Sequence, residues 1–309
     1  MTAVTAPLRQ LLDVPAPAKL NLFLHITGQR ADGYHLIQSV FMLIDWCDTL
    51  HFEWRPGGAL SREDLQPGDL PVQDLCMRAA QALQAATGCT QGAHIRLDKR
   101  IPAEAGMGGG SSDAASCLLA LNRLWQLGLT RRELAAIGLR LGADVPFFIG
   151  GRNAWVEGVG EVLTPISLPP GRFLVVKPGT GASTQAIFSA PGLHRATKTA
   201  TIQGFAAHTT DGWAVTDLQN ILENCHNDLQ PVAQTLCPDV ARCLNWLAER
   251  QLSGRMTGSG SAVFAQSLHE VDPSEVPDDW VVRECSNMDA HPLIDWCADE
   301  NGRLRQSIR

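Results

Sequence analysis

One stretch constrains this chain more than any other: Pro102-Ala103-Glu104-Ala105-Gly106-Met107-Gly108-Gly109-Gly110-Ser111-Ser112-Asp113. Before it, residues 93–97 read as a short strand that ends in Lys99-Arg100. After it, residues 112–127 read as a helix, with Ala114, Leu118, Leu121 and Trp125 on one face and Gly128 as its stop. Glycines let successive backbone N–H groups turn inward and approach an anion with no Cβ in the way. The first turn of the helix adds unpaired N–H donors and positive partial charge. A flexible Gly-Ser linker is the bland alternative, but a linker would not be wedged between a strand and a strongly amphipathic helix. The run therefore reads as a phosphate-binding loop. Ser111 and Ser112 can cap the helix, contact phosphate oxygens or help hold a metal. Neither of the two common phosphate loops fits. None of the four lysines, Lys19, Lys99, Lys177 and Lys198, follows a glycine, as a Gly-Lys-Ser/Thr loop requires. A dinucleotide fingerprint needs a third glycine where this chain has Ser111.

Composition narrows the context. A length of 309 residues suggests two domains or one large one, and 45% hydrophobic with 18% charged residues suits a buried core rather than disorder or a fibrous repeat. Twenty-five basic against 32 acidic residues leave a net charge of −7, so nucleic acid is excluded as a partner and any phosphate site must be local. The nine cysteines include no Cys-x-x-Cys pair, which points to reduced thiols rather than disulfides or zinc. No signal-peptide core and no apolar run long enough for a membrane span are visible, so the expected location is the cytoplasm.

Elsewhere strands and helices mix in both halves. Ala18, Leu20, Leu22, Leu24 and Ile26 alternate with Lys19, Asn21, Phe23 and His25, which predicts a strand carrying Lys19 and Asn21 two residues apart on one edge. Asp32-Gly33 marks a turn, Tyr34-His35 follows, and residues 40–44 continue as a second strand. Residues 51–54 read as a separate short strand and 55–71 as a surface loop. A helix over 74–86 closes at Gly88. Thr130 with Glu133 has capping-box spacing and opens a helix that ends at Gly142. Residues 143–146 lie immediately beyond it. The Pro-rich stretch 163–171 reads as a domain junction, with strands expected at 173–176, 262–265 and 280–282.

The glycine loop with its Pro-x-x-x-Gly-Met-Gly-Gly-Gly-Ser-Ser pattern resembles the ATP loop of the GHMP kinases. Two further runs match that superfamily in order: Ala16-Pro17-Ala18-Lys19-Leu20-Asn21-Leu22, and the second Gly-rich run Arg255-Met256-Thr257-Gly258-Ser259-Gly260-Ser261-Ala262-Val263-Phe264. Within it, Lys19-Leu20-Asn21, Asp32-Gly33-Tyr34-His35, residues 141–148 and residues 224–229 are similar to the branch that phosphorylates a CDP-linked polyol in non-mevalonate isoprenoid synthesis. The resemblance implies an α+β, two-domain GHMP kinase fold, with residues 1–165 forming the ATP-binding domain and 166–309 the substrate domain. It implies a transferase using ATP and Mg²⁺, the ion held through the ATP phosphates with Ser111 or Ser112 as candidate ligands. Lys19 and Asp144 are implied as the catalytic pair, Asp144 as the base. Residues 102–112 and Lys99 are implied at ATP, and Asn21, Tyr34, His35, Thr184, Phe188, Gly258, Ser259 and Gly260 at the second substrate. Taken alone, Asp144 could simply cap the helix at Pro146, and Lys19 could be a solvated strand residue. Homoserine, mevalonate and sugar kinases are the alternatives, and Tyr34-His35 argues against them because those substrates carry no nucleobase to stack. Two positions depart from the family's usual pattern. Asp74-Leu75 stands where Asn-Leu is common. Glu104 inside the loop would repel a triphosphate and is expected to face solvent.

Overall fold

The computed structural model describes residues 8–66, 71–181, 183–267 and 276–298. Its first element is a long hairpin, β1 (Gln10–Gln29) and β2 (His35–Arg55), closed by the turn at Asp32-Gly33. Next come β3 (Leu60–Asp64), α1 (Leu75–Thr87), β4 (Gly92–Asp98) and α2 (Gly109–Leu124), then α3 (Arg131–Leu139), α4 (Val145–Gly150), β5 (Ala154–Glu157) and β6 (Val162–Ser167). The second half holds β7 (Arg172–Lys177), α5 (Thr184–Ser189), β8 (Ala207–Thr209), β9 (Gly212–Ala214), α6 (Leu218–Asn224), α7 (Gln230–Leu236), α8 (Pro238–Glu249), β10 (Arg255–Met256), β11 (Val263–Gln266) and β12 (Val281–Ser286).

The larger sheet runs β3-β4-β2-β5-β6-β9-β8, with β1 also paired to β2; the smaller runs β10-β11-β7-β12. Two expectations change here. Residues 51–54 are not a separate strand but the far half of β2, because β4 pairs with Thr49 through Arg55 and holds the strand extended. The stretch 55–71 contains β3, which lies parallel to β4, a non-local pairing that no local pattern signals. Where local signals were strong, they hold. Asp74 caps α1 by accepting from the Met77 N–H, Gly88 ends it in the left-handed region, and Thr130 and Glu133 form a reciprocal capping box on α3. α2 stops at Leu124, three residues early, because Gln126 turns to a φ of 57°.

One core, containing Leu43, Phe52, Leu83, Leu118 and Phe148, fills the space between the large sheet and α1–α4. A second contains Leu20, Leu22 and Met42 together with Phe173 and Phe264, so the small sheet covers the other face of the hairpin. β1 is thereby buried on both faces, and Lys19 and Asn21 are only 3% and 1% exposed. Register shifts at Pro17/Lys19 and Asn21/Leu24 bracket these two residues, the kind of local bulge that re-aims side chains beside a site. Among the described residues no helix is long and apolar enough to cross a membrane.

Candidate active site

A cavity of about 1310 Å³ opens between the two halves. Asp74, Arg78 and Lys99 line one end, the 102–111 loop, Lys19 and Asp144 the middle, and Tyr34, His35, Phe188 and Arg195 the other end. The expected residues Asn21, Thr184, Gly258, Ser259 and Gly260 also lie on its wall.

The middle is built on the bulged segment of β1. Lys19 Nζ lies 3.6 Å from Asp144 Oδ2, donates to Asn21 Oδ1, and sits 4.6 Å from the centre of the Phe41 ring. Burial pushes the Lys19 ammonium below its ordinary value, and the Asp144 carboxylate opposes that shift. Lys19 is therefore not a solvated strand residue. Asp144 stands at the start of α4 but makes no side-chain capping bond, so its carboxylate is free for the cleft. Asn21 is fixed at both ends: its N–H donates to Thr257 Oγ1 (2.9 Å) and its side-chain amide to Ser39 Oγ (3.0 Å).

The two Gly-rich loops meet over this pair. A Cβ on Gly106, whose φ is 72°, would lie 2.2 Å from the Thr257 carbonyl oxygen, and one on Gly258 would lie 2.6 Å from the Gly106 oxygen. Ser261 N–H donates to the Glu104 carbonyl (2.9 Å), Ala262 N–H to Ala105 (3.2 Å), and Lys19 N–H to Met107 (3.0 Å). Glu104 is exposed but lies on the cavity wall, with its carboxylate beside Gly181 of the second half. Ser111 lines the cavity; Ser112 does not, being fully buried beneath it with Oγ unpartnered. Thr184 Oγ1 and Ser259 Oγ lie 2.7 Å apart, tying α5 to the second loop.

Lys99 is held more firmly than a strand-terminal base would be. Its ammonium donates to Asp48 and to Asp113 Oδ2 (2.8 Å), and these two carboxylates raise its pKa against the burial that would lower it. Asp48 Oδ1 also accepts from the Ile101 N–H (2.7 Å) and the Arg100 N–H, fixing the point where the glycine loop begins. Burial, together with Asp48's charge and against Lys99's pull, raises Asp113 to about 8. Asp74 is engaged as well, paired with Arg62 at 2.8 Å.

At the far end the Tyr34 side chain stands 64% exposed, while the His35 and Phe188 rings lie 5.2 Å apart at 40°. Arg195 Nε donates to His35 Nε2 (3.0 Å), and burial and then this guanidinium hold the imidazole below its ordinary value.

Sequence reasoning missed four residues of this constellation. Asp48 lay between the strands predicted at 40–44 and 51–54 with no signal of its own, and Asp113 showed only as part of the glycine run. Arg195 lay in an unassigned polar stretch. Asn227, quoted for resemblance but given no role, donates to the Met256 and Gly258 carbonyls (both 2.8 Å) and shapes the second loop. The nine cysteines are free thiols, and burial raises those of Cys76, Cys117 and Cys285, in keeping with a structural role.

Comparison with known proteins agrees with this geometry. Residues 74–152 match the GHMP kinases N terminal domain and residues 214–286 the GHMP kinases C terminal. The 4-diphosphocytidyl-2-C-methyl-D-erythritol kinase of Polaromonas sp. (strain JS666) is 62% identical over 302 residues, covering 94% of this chain and 95% of its own. The kinase of that name from Paracidovorax citrulli is 60% identical over 299 residues, covering 95% and 100%. The crystal structure of a 4-(cytidine 5'-diphospho)-2C-methyl-D-erythritol kinase, 30% identical, superposes with a TM-score of 0.71 over 90% of this chain and 98% of that one. With both glycine loops, the buried lysine and its facing carboxylate in one cleft, the chain belongs to the 4-diphosphocytidyl-2-C-methyl-D-erythritol kinase family of the GHMP kinases.

Proposed function

We propose that the chain transfers the γ-phosphoryl group of ATP to the 2-hydroxyl of 4-diphosphocytidyl-2-C-methyl-D-erythritol, giving the 2-phosphate and ADP in the non-mevalonate route to isoprenoids. The observation that carries the reading is the single cleft with a glycine loop, a Lys-Asp pair and an aromatic wall in sequence along it. Phosphoryl transfer to an alcohol needs charge neutralisation, in-line positioning and a proton acceptor. Residues 102–111 supply backbone N–H donors at the start of α2 for the triphosphate. Lys99 sits at the nucleotide end. In our reading residues 1–165 carry the ATP side and residues 166–309 bring Thr184, Phe188 and the 258–260 loop to the second substrate.

In the transfer, the substrate oxygen forms its bond to the γ-phosphorus as the bond to the bridging oxygen of ADP breaks. Asp144 takes the hydroxyl proton. Lys19 stays beside the carboxylate and the equatorial oxygens, where its charge is most effective because water is excluded. Asn21 holds the ammonium in place. Tyr34 and Phe188 would take the cytosine between them, and His35 its edge. Among the described residues no cluster of three or more His, Cys, Asp or Glu could cage a metal. Mg²⁺ would enter with ATP, and Ser111, on the cavity wall, is the residue of the glycine loop that could help hold it. There it would neutralise triphosphate charge.

An ATP-consumption assay offering CDP-methylerythritol beside mevalonate, homoserine and galactose tests this reading. Turnover should appear with the CDP-linked alcohol alone, and free CDP should compete with it. Turnover of another alcohol with no response to CDP would overturn the assignment.

A further inference from the structure

Arg195 spends four N–H groups on the cytidine end of the cleft. Nε donates to His35 Nε2 (3.0 Å), Nη1 to the Leu193 carbonyl (3.1 Å), and Nη2 to the carbonyls of Phe188 (3.0 Å) and Ala190 (3.1 Å). One guanidinium thus ties the first residue of β2 to the last turn of α5, across the two halves of the chain. A guanidinium only donates, so His35 Nε2 must be the acceptor. The proton of the neutral ring then sits on Nδ1.

We propose that Arg195 is a positioning residue for substrate recognition, presetting His35 as the neutral Nδ1–H tautomer and locking it against Phe188 before the ligand arrives. The inference rests on the cytidine reading given above. A wall fixed in advance has less rotamer and loop freedom to lose on binding. It also denies the ring a second proton, because the site where that proton would go already faces a cation. Burial acts on the ring in the same direction. Among the described residues Arg195 is the charge that acts on the ring: the nearby turn's Arg30 and Asp32 pair with each other at 2.6 Å, and the α5 residues on the cavity wall, Thr184, Gln185, Phe188 and Ser189, are uncharged.

The test pairs a ligand-free measurement with kinetics. Long-range ¹H–¹⁵N correlation spectra of the free protein should show His35 as the Nδ1–H tautomer. Arg195→Met should give a mixed tautomer and a higher imidazole pKa. Its KM for the CDP-linked alcohol should rise about two- to tenfold, the worth of one ordinary hydrogen bond, with KM for ATP unchanged. The acid limb of its kcat/KM profile for that substrate should move to higher pH. Arg195→Lys, which keeps the charge but loses the planar fork, should raise the same KM with a smaller pH shift. A wild-type His35 carrying its proton on Nε2 would overturn the proposal, and so would an Arg195→Met enzyme with unchanged tautomer and KM. If Arg195→Met does not fold, the wild-type tautomer and the Arg195→Lys kinetics still decide. An Nδ1–H tautomer in a protein that ignores CDP would refute the cytidine reading while leaving the hold of Arg195 on the ring intact.

Discussion

Asp113→Asn should stabilise the protein at alkaline pH. Asp113, Asp48 and Lys99 place two carboxylates on one ammonium inside the fold, and Asp113 is only 3% exposed. Asp113 Oδ1 has no hydrogen-bond partner, whereas Asp48 accepts from two backbone N–H groups. With its pKa raised from 3.8 to about 8, Asp113 binds a proton in the folded state across a window where the unfolded chain has released it. A folded state that holds the extra proton loses stability as pH rises through that window, at about 1.4 kcal/mol per pH unit. Between pH 5 and 8 the wild type should therefore shed roughly 4 kcal/mol that an uncharged Asn at this site would not shed. Asn keeps the shape and still accepts from Lys99. Urea unfolding of both proteins at pH 5, 6.5 and 8 measures the difference. The two should lie close together at pH 5, and the variant should pull ahead by several kcal/mol at pH 8. A difference that does not change with pH would show that Asp113 is ionised throughout and would refute the reasoning.

Three further outcomes are expected. Asp144→Asn should lower turnover by roughly 10²–10⁴ while ATP still binds in calorimetry; its residual rate should also fall off at lower pH on the alkaline side, because Lys19 loses the carboxylate that opposes its burial. Gly106→Ala combines a φ of 72° with a Cβ 2.2 Å from the Thr257 oxygen, so it should cost on the order of 3 kcal/mol of stability and weaken ATP binding, read by melting and calorimetry. Tyr34→Ala and Phe188→Ala should each raise KM for the CDP-linked alcohol about fivefold to 150-fold with KM for ATP unchanged, and the double variant should fall short of additive because both rings hold one base.

What was legible in the sequence was whatever the chemistry packs into short runs. A loop that must approach phosphate announces itself by glycines, and a capped helix by Thr130 and Glu133, because both requirements are met within a few residues. The contacts that give those runs their meaning are not local. Alternation marked Lys19 and Asn21 on a strand edge, yet only the second sheet, through Phe173 and Phe264, buries the other face of that strand. The parallel partner of β3 lies some 30 residues on, in β4, so 55–71 carries the composition of a loop and still pairs. Asp48 and Lys99 meet from positions 51 residues apart, and Arg195 reaches His35 across 160. No window on the chain contains either pair.

The burial of Lys19 is the key to the site's logic. A solvated lysine would keep its charge unaided and would hold nothing in place. At 3% exposure the ammonium is costly to keep charged, and that cost makes it dependent on its neighbours, the Asp144 carboxylate and the Asn21 carbonyl oxygen. Asn21 is in turn fixed by Thr257 at the foot of the second glycine loop, and the Lys19 backbone by Met107 in the first. Either loop can thus move the ammonium only by moving the strand that both grip. The roles of Lys19 and Asp144 are therefore not separable. On the roles proposed above, removing the carboxylate takes away the proton acceptor and weakens the charge of the lysine together, and removing the lysine leaves the carboxylate without its cation. In a cycle of Lys19→Met, Asp144→Asn and the double variant, the second substitution should cost far less than it does in the wild type, as expected for groups that act as one unit.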